Sequence, residues 1–206
     1  TPIKSSAASD VYKRQVLCNR SVEGIHAPTV RSNDFYGGYI ATKHLISKGY
    51  CSIAYIAQTI YSVSIERCQG YISALMENGY EIDRSMIIIP YEERKNGVYE
   101  NMKQLLSQEK KPDAVFCFND KVAVNVCRAV QDMGRKVSEE VGIIGYDNNI
   151  YASVNHPPIT TISFKSMEIG EKAAEILVKL IRGEKLNSNF NEYLYLSLIH
   201  ISEPTR

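Results

Sequence analysis

Apolar residues follow two rhythms along this chain. Short continuous runs alternate with longer stretches in which apolar positions return every third or fourth residue. The runs predict strands at Ala27–Ser32, Ser52–Ile56, Met86–Ile89, Ala114–Phe118, Val141–Tyr146 and Thr160–Ser163, with another beginning at Tyr193–Tyr195. The helical period predicts helices at Tyr36–Lys48, Ile65–Asn78, Val98–Ser107, Asp120–Met133 and Met167–Arg182. Within Ile65–Asn78 the apolar stripe is Ile65, Cys68, Ile72 and Leu75. Gly49, Gly79, Gly134 and Gly183 each stand at the stop of one of these helices, where a left-handed cap is needed.

Strands that alternate with helices imply right-handed βαβ units. Strands that are apolar at nearly every position imply a parallel sheet covered on both faces. The expected fold class is therefore α/β, a doubly wound parallel sheet.

Composition changes this picture little. The 206 residues are 44% hydrophobic and 23% charged with a formal charge of +1, so bulk charge does not point to nucleic acid or an anionic membrane. No apolar run approaches the roughly 20 residues that span a bilayer. The five cysteines are odd in number, lack a C-x-x-C pair and lie mostly in apolar segments, which suits free thiols in a reducing cytoplasm. The four histidines are scattered without metal-ligand spacing.

The two ends look foreign to the rest. Leu196–Ile201 can be encoded by a string whose reverse complement translates as Asp10–Gln15, so Ser5–Gln15 and Leu196–Arg206 resemble translated sequencing-library adaptor. On that reading the chain divides into tails at 1–15 and 196–206 around an insert of about 16–195. The insert carries 20 basic and 21 acidic residues.

Catalytic signatures are missing. There is no G-x-G-x-x-G, no P-loop and no G-x-S-x-G elbow. Gly37-Gly38 near a helix start is a candidate anion seat, but a close strand-to-helix turn is the favoured reading. Binding is the remaining default. In open α/β sheets ligands sit beyond the carboxyl ends of the strands. That rule selects Asn119-Asp120, Asp147-Asn148-Asn149, and the loop Gln58–Ser64 leading to Arg67. A guanidinium fork, an amide and a carboxylate together suit vicinal hydroxyls. Each residue also has a plain structural alternative: Asn119 and Asp120 as helix caps, Asp147 as a turn former, Arg67 as an exposed helical arginine.

The same loops carry a family pattern. "VRSNDFYGGYIATKHLISKGYCSIAYI", "SIERCQGYISAL", "KPDAVFCFNDKVAVNVCRAVQDMG", "VGIIGYDNN" and "PPITTISFKSMEIGEKAAEIL" occur in order from Val30 onward. In this set the chain resembles the sensor domain of the lactose-repressor (LacI/GalR) family. The preceding "VLCNR" resembles its strand-end V-x-x-D-R, with Asn19 where Asp is usual. The resemblance implies a periplasmic-binding-protein-like fold of two lobes around a cleft. It implies one complete lobe at 33–162, and a remnant of the other at 16–32 and 163–185. Carried over by position, Arg67, Asn119 and Asp147 match the family's effector-contacting Arg, N-D Asn and G-[FY]-D Asp. Asn19 and Phe164 fall near its cleft. Because that cleft is wet, truncating Arg67 or Asp147 is expected to leave folding largely intact. "SND" departs from the family's D-N order and leaves Asn33 and Asp34 without a role.

The function implied is the sugar-sensing part of a cytoplasmic, homodimeric transcription repressor. Such a protein is not an enzyme, needs no cofactor or metal, touches no membrane, and meets DNA only through an N-terminal domain missing from this chain. The alternative on the same fold is a secreted sugar-binding protein that feeds a transporter.

Overall fold

The structure is a computed structural model and describes residues 14–22, 24–90, 96–184, 186 and 192–201. Most of the 1–15 tail and the end of the 196–206 tail therefore lie outside the described residues. The chain divides into two compact units. One comprises Thr1–Asn33 and Lys165–Leu196; the other comprises Asp34–Phe164 and Ser197–Arg206.

The smaller unit holds a three-stranded parallel sheet of β1 (Leu17–Cys18), β2 (Thr29–Ser32) and β8 (Glu192–Tyr195), in the order β1-β2-β8. Helix α6 (Ser166–Ile181) packs on β1 and β2 and buries Ile169 and Ile176. Its Met167, Val178 and Ile181 remain exposed. The Arg31 Nε–H donates to Glu192 Oε1 across β2 and β8.

The larger unit contains α1 (Asp34–Ser47), β3 (Ile53–Ile56), α2 (Ser62–Glu77), β4 (Ile87–Ile88), α3 (Gly97–Leu106), β5 (Ala114–Cys117), α4 (Asp120–Asp132), β6 (Gly142–Tyr146), α5 (Ile150–Val154), β7 (Thr160–Ser163) and β9 (Leu198–His200). Its sheet runs β4-β3-β5-β6-β7-β9. All described pairings in it are parallel except β7 with β9. Every residue of β3, β5 and β6 is buried, as a sheet covered on both faces requires. Tyr55 on β3 anchors this core, with Phe116 at 5.3 Å and Tyr71 at 5.9 Å between ring centroids. The Tyr55 hydroxyl donates to Ser64 O and the Tyr71 hydroxyl to Ile53 O, so neither burial leaves a polar group unmatched.

Periodicity found the helices but placed some ends differently. The four capping glycines do adopt positive φ, from 71° to 86°. α1 begins at Asp34, two residues earlier than expected, because an acidic side chain in the first turn favours a helix start that apolar spacing does not register. The segment Met86–Ile89 is a 3-10 turn at Arg84–Met86, followed by the short β4. Asp83 caps that turn by accepting from Ser85 N. The five-residue α5 is too short to show a period. Cys68, Cys117 and Cys127 are buried, and Cys18 and Cys51 are exposed; none of the five is in a disulfide.

Candidate functional site

In the sheet order of the larger unit the chain passes from β3 to β4 on one side and to β5 on the other. The topological switch point therefore lies over the carboxyl ends of β3 and β5. Arg67, in the second turn of α2, occupies this place. It is not the exposed helical arginine that one reading of the sequence allowed: only 6% of it is exposed. Its Nε–H donates to Asp34 Oδ1 at 2.8 Å, and Nη1 donates to the carbonyl of Phe118. The guanidinium carbon stands 3.4 Å from the Tyr146 ring centroid and 4.8 Å from that of Phe118. Burial opposes the charge on Arg67, but Asp34, Tyr146 and Asp147 together hold its proton more tightly than usual.

Asp147 follows β6 in a left-handed conformation, φ 101°, with its backbone N–H bonded to Ile162 O. The carboxylate lies 3.8 Å from Arg67 Nη2, and its side chain is 29% exposed, so it offers the open face of the cluster. Burial raises its pKa to about 6; the nearby Arg67 opposes the rise, and Asp120 and Asp34 add to it.

Asp120 is fully buried and works as a clamp. Its Oδ1 accepts from the Thr161 hydroxyl at 2.6 Å and its Oδ2 from Asn149 N at 2.8 Å. These bonds tie the start of α4 to the loop after β6 and to β7. Burial raises its pKa against the pull of those donors and of Arg67.

Asn119 is the N-cap of α4 and accepts from Val122 N at 2.9 Å through Oδ1. The side-chain amide is half-buried, next to the Phe118 carbonyl that receives Arg67. The cap uses the Oδ1 end of the amide.

The structure therefore brings Arg67, Asn119 and Asp147 to one edge of one sheet. Phe164 ends the larger unit, half-buried against its core, with no described bond to the Arg67 cluster. Asn19 belongs to the other unit, exposed after β1 with φ 65°. The expectation that Arg67 faces a wet cleft needs correction. It is a buried ion whose loss would take its charged partner from Asp34, which is 2% exposed.

Three members escaped sequence reasoning: Asp34, Tyr146 and Asp120 as a clamp. The signals were an acid opening α1 and an aromatic directly before Asp147. Gly37 does not seat an anion, because a Cβ there would overlap the Tyr146 hydroxyl, which pairs with Ser197 Oγ at 3.0 Å. Among the described residues no group of His, Cys, Asp and Glu is placed to hold a metal, and no helix is long and apolar enough to cross a membrane.

Residues 42–199 match the family profile of the periplasmic binding protein-like domain. The chain is similar to the HTH-type transcriptional repressor PurR of Actinobacillus pleuropneumoniae serotype 3 (strain JL03). The two are 36% identical over 161 residues, covering 78% of this chain and 48% of the repressor. Among solved structures it is similar to the transcriptional regulator CelR–cellobiose complex: TM-score 0.79, 28% identity, covering 90% of this chain and 56% of that one. It is also similar to a LacI family transcriptional regulator from Enterococcus faecium with bound ribose. There the TM-score is 0.76 and the identity 27%, covering 92% of this chain and 69% of that one. The chain spans about half the length of the curated relatives it matches.

Proposed function

The chain belongs to the periplasmic binding protein-like domain family, in the form carried by LacI-type transcription regulators, and from that premise we propose that it is the effector-sensing part of a DNA-binding repressor whose effector is a polyol. The observation that carries this reading is the Arg67 cluster. A guanidinium locked by Asp34 and Tyr146 is presented with a half-open carboxylate, Asp147, and an amide, Asn119, at the switch point of the sheet. Fixed donors and acceptors of both kinds suit a ligand that carries adjacent hydroxyls. Relatives bound to cellobiose and to ribose support the same ligand class. Their names as regulators favour a repressor over a transporter's binding protein, and no enzymatic activity is proposed.

DNA contact, homodimer formation and a place in the cytoplasm are the corresponding proposals for the whole protein. The effector alters DNA affinity only through a difference in its affinity for two states of the repressor.

Calorimetric titration of the chain with neutral sugars, ribose and cellobiose among them, tests the site. Asn119→Ala and Asp147→Asn are each expected to weaken binding by about one to two decades, the effect of roughly 1–3 kcal/mol for an unmatched polar partner. Unchanged affinity in both variants would remove the site assignment, and no binding of any neutral sugar would remove the polyol. Sequencing the flanking DNA separates the two families of whole protein: a helix-turn-helix marks a repressor and a signal peptide marks a transporter component.

A further inference from the structure

The charges around Arg67 do not balance. One guanidinium is surrounded by three carboxylates, Asp34, Asp120 and Asp147, all within the larger unit. Asp34 is bonded to it directly, and the carboxylate of Asp147, the more exposed of the pair, lies 3.8 Å from its Nη2. Its Nη1 is spent on Phe118 O and its faces are covered by Tyr146 and Phe118. An arriving anion therefore meets a carboxylate before it meets the cation.

Several backbone donors at helix starts are also engaged. At α4, Val122 N is taken by Asn119; at α5, Tyr151 N is taken by its own cap, Asn149, and Asn149 N by Asp120. At α2, Tyr61 N donates to Ser64 Oγ. α1 opens with the carboxylate of Asp34 itself. Each such cap leaves one N–H group fewer for a phosphate.

We infer that this site selects an effector that donates hydrogen bonds and bears no anionic group: a neutral or amine-bearing polyol, and not its phosphate ester or sugar acid. The inference rests on the polyol reading above and narrows it. Asp147 is the selecting residue. It accepts ligand hydroxyls and repels phosphoryl and carboxylate groups.

The test uses inorganic phosphate as the probe, on the full chain at pH 7.5. Thermal midpoints are read in sodium phosphate and in sodium chloride of equal ionic strength. The wild-type chain is expected to show no phosphate-specific rise. Asp147→Asn, and Asp147→Gly as a second variant that tolerates the positive φ, are expected to gain a saturable one. The apparent affinity gain is about tenfold or more, a modest share of one unit charge's interaction at this distance. A wild-type rise equal to that of the variants overturns the inference, and so does the absence of any gain in both variants. Ribose and ribose 5-phosphate supply a second arm by calorimetry, with the ester expected to bind at least about tenfold more weakly. An ester that binds as tightly as its neutral parent overturns the inference. Failure of the neutral sugars to bind counts against the polyol reading instead, and the phosphate measurement still decides this one.

Discussion

Taking one guanidinium out of water costs several kcal/mol unless its charge and its hydrogens are matched. At Arg67 the match comes from Asp34, the Phe118 carbonyl and two aromatic rings, and Asp147 is left as the under-compensated member of the cluster. Its carboxyl has a pKa of about 6 in the folded chain against an ordinary 3.8, because burial, Asp120 and Asp34 outweigh Arg67. An acid whose pKa is higher when folded binds protons better when folded. It therefore favours the folded state fully below pH 3.8, and that contribution is lost as pH rises through about 6. Asp147→Asn, which keeps the neutral shape and accepts positive φ, is expected to be more stable than wild type by about 1–2 kcal/mol at pH 7, after discounting for partial exposure. Near pH 4 the two should converge. Urea denaturation at both pH values checks this, and a difference of equal size at both would mean that the carboxyl is not strained. Arg67, Asn119 and Asp147 were legible in the sequence because the strand-end rule selects their loops. Asp34 was not, because its partnership with Arg67 exists only once α1 lies against α2.

That crossing is the feature of the elements on which the site depends. α1 and α2 approach so closely at Gly70 that a Cβ there would overlap the backbone carbonyl of Phe35 and the amide of Tyr39. Backbone atoms of a packed helix cannot rotate aside as a flexible side chain can, so the helices must separate. Asp34 and Arg67 sit on the two helices and would separate with them. Gly70→Ala is expected to cost roughly 1–3 kcal/mol and to lower the thermal midpoint by about 3–10 °C. It should also weaken effector binding, although residue 70 has no ligand-facing atom. A variant with wild-type stability would mean that the crossing has room to spare. The existence and type of the long helices were readable from apolar spacing. What apolar spacing missed was α5, shorter than two turns, and the two-residue β1, where no period can accumulate and only the family resemblance marked a strand end. The start of α1 escaped for a different reason: electrostatics at a helix end leave no trace in an apolar pattern.

Across the whole molecule, sequence order and spatial order part company. The chain leaves the larger unit after Phe164, contributes α6 and β8 to the smaller one, and returns at Ser197 to lay β9 against β7. The alternation of strands and helices predicted the parallel sheet. It could not predict an antiparallel edge strand in a segment that resembles translated adaptor. That strand's contribution can be judged from its burial. Leu198 and His200 are exposed and Ile199 is half-buried. Ser197 alone is buried, where its hydroxyl meets that of Tyr146. A three-residue strand at a sheet edge adds few ladder bonds. The Tyr146 hydroxyl would meet water in place of Ser197, so little is left unmatched when the segment goes. We propose that residues 196–206 are dispensable. Deleting them is expected to cost about 1 kcal/mol, which for a chain of this size is a midpoint shift of about 2–4 °C. Effector affinity should be unchanged, because Arg67, Asn119 and Asp147 keep all their described partners. Circular dichroism melts of the shortened and full chains check this. A fall well beyond 4 °C would show that β9 closes the sheet edge as an integral strand, and a loss of effector binding would show that the Ser197–Tyr146 contact holds the ring beneath Arg67 in place.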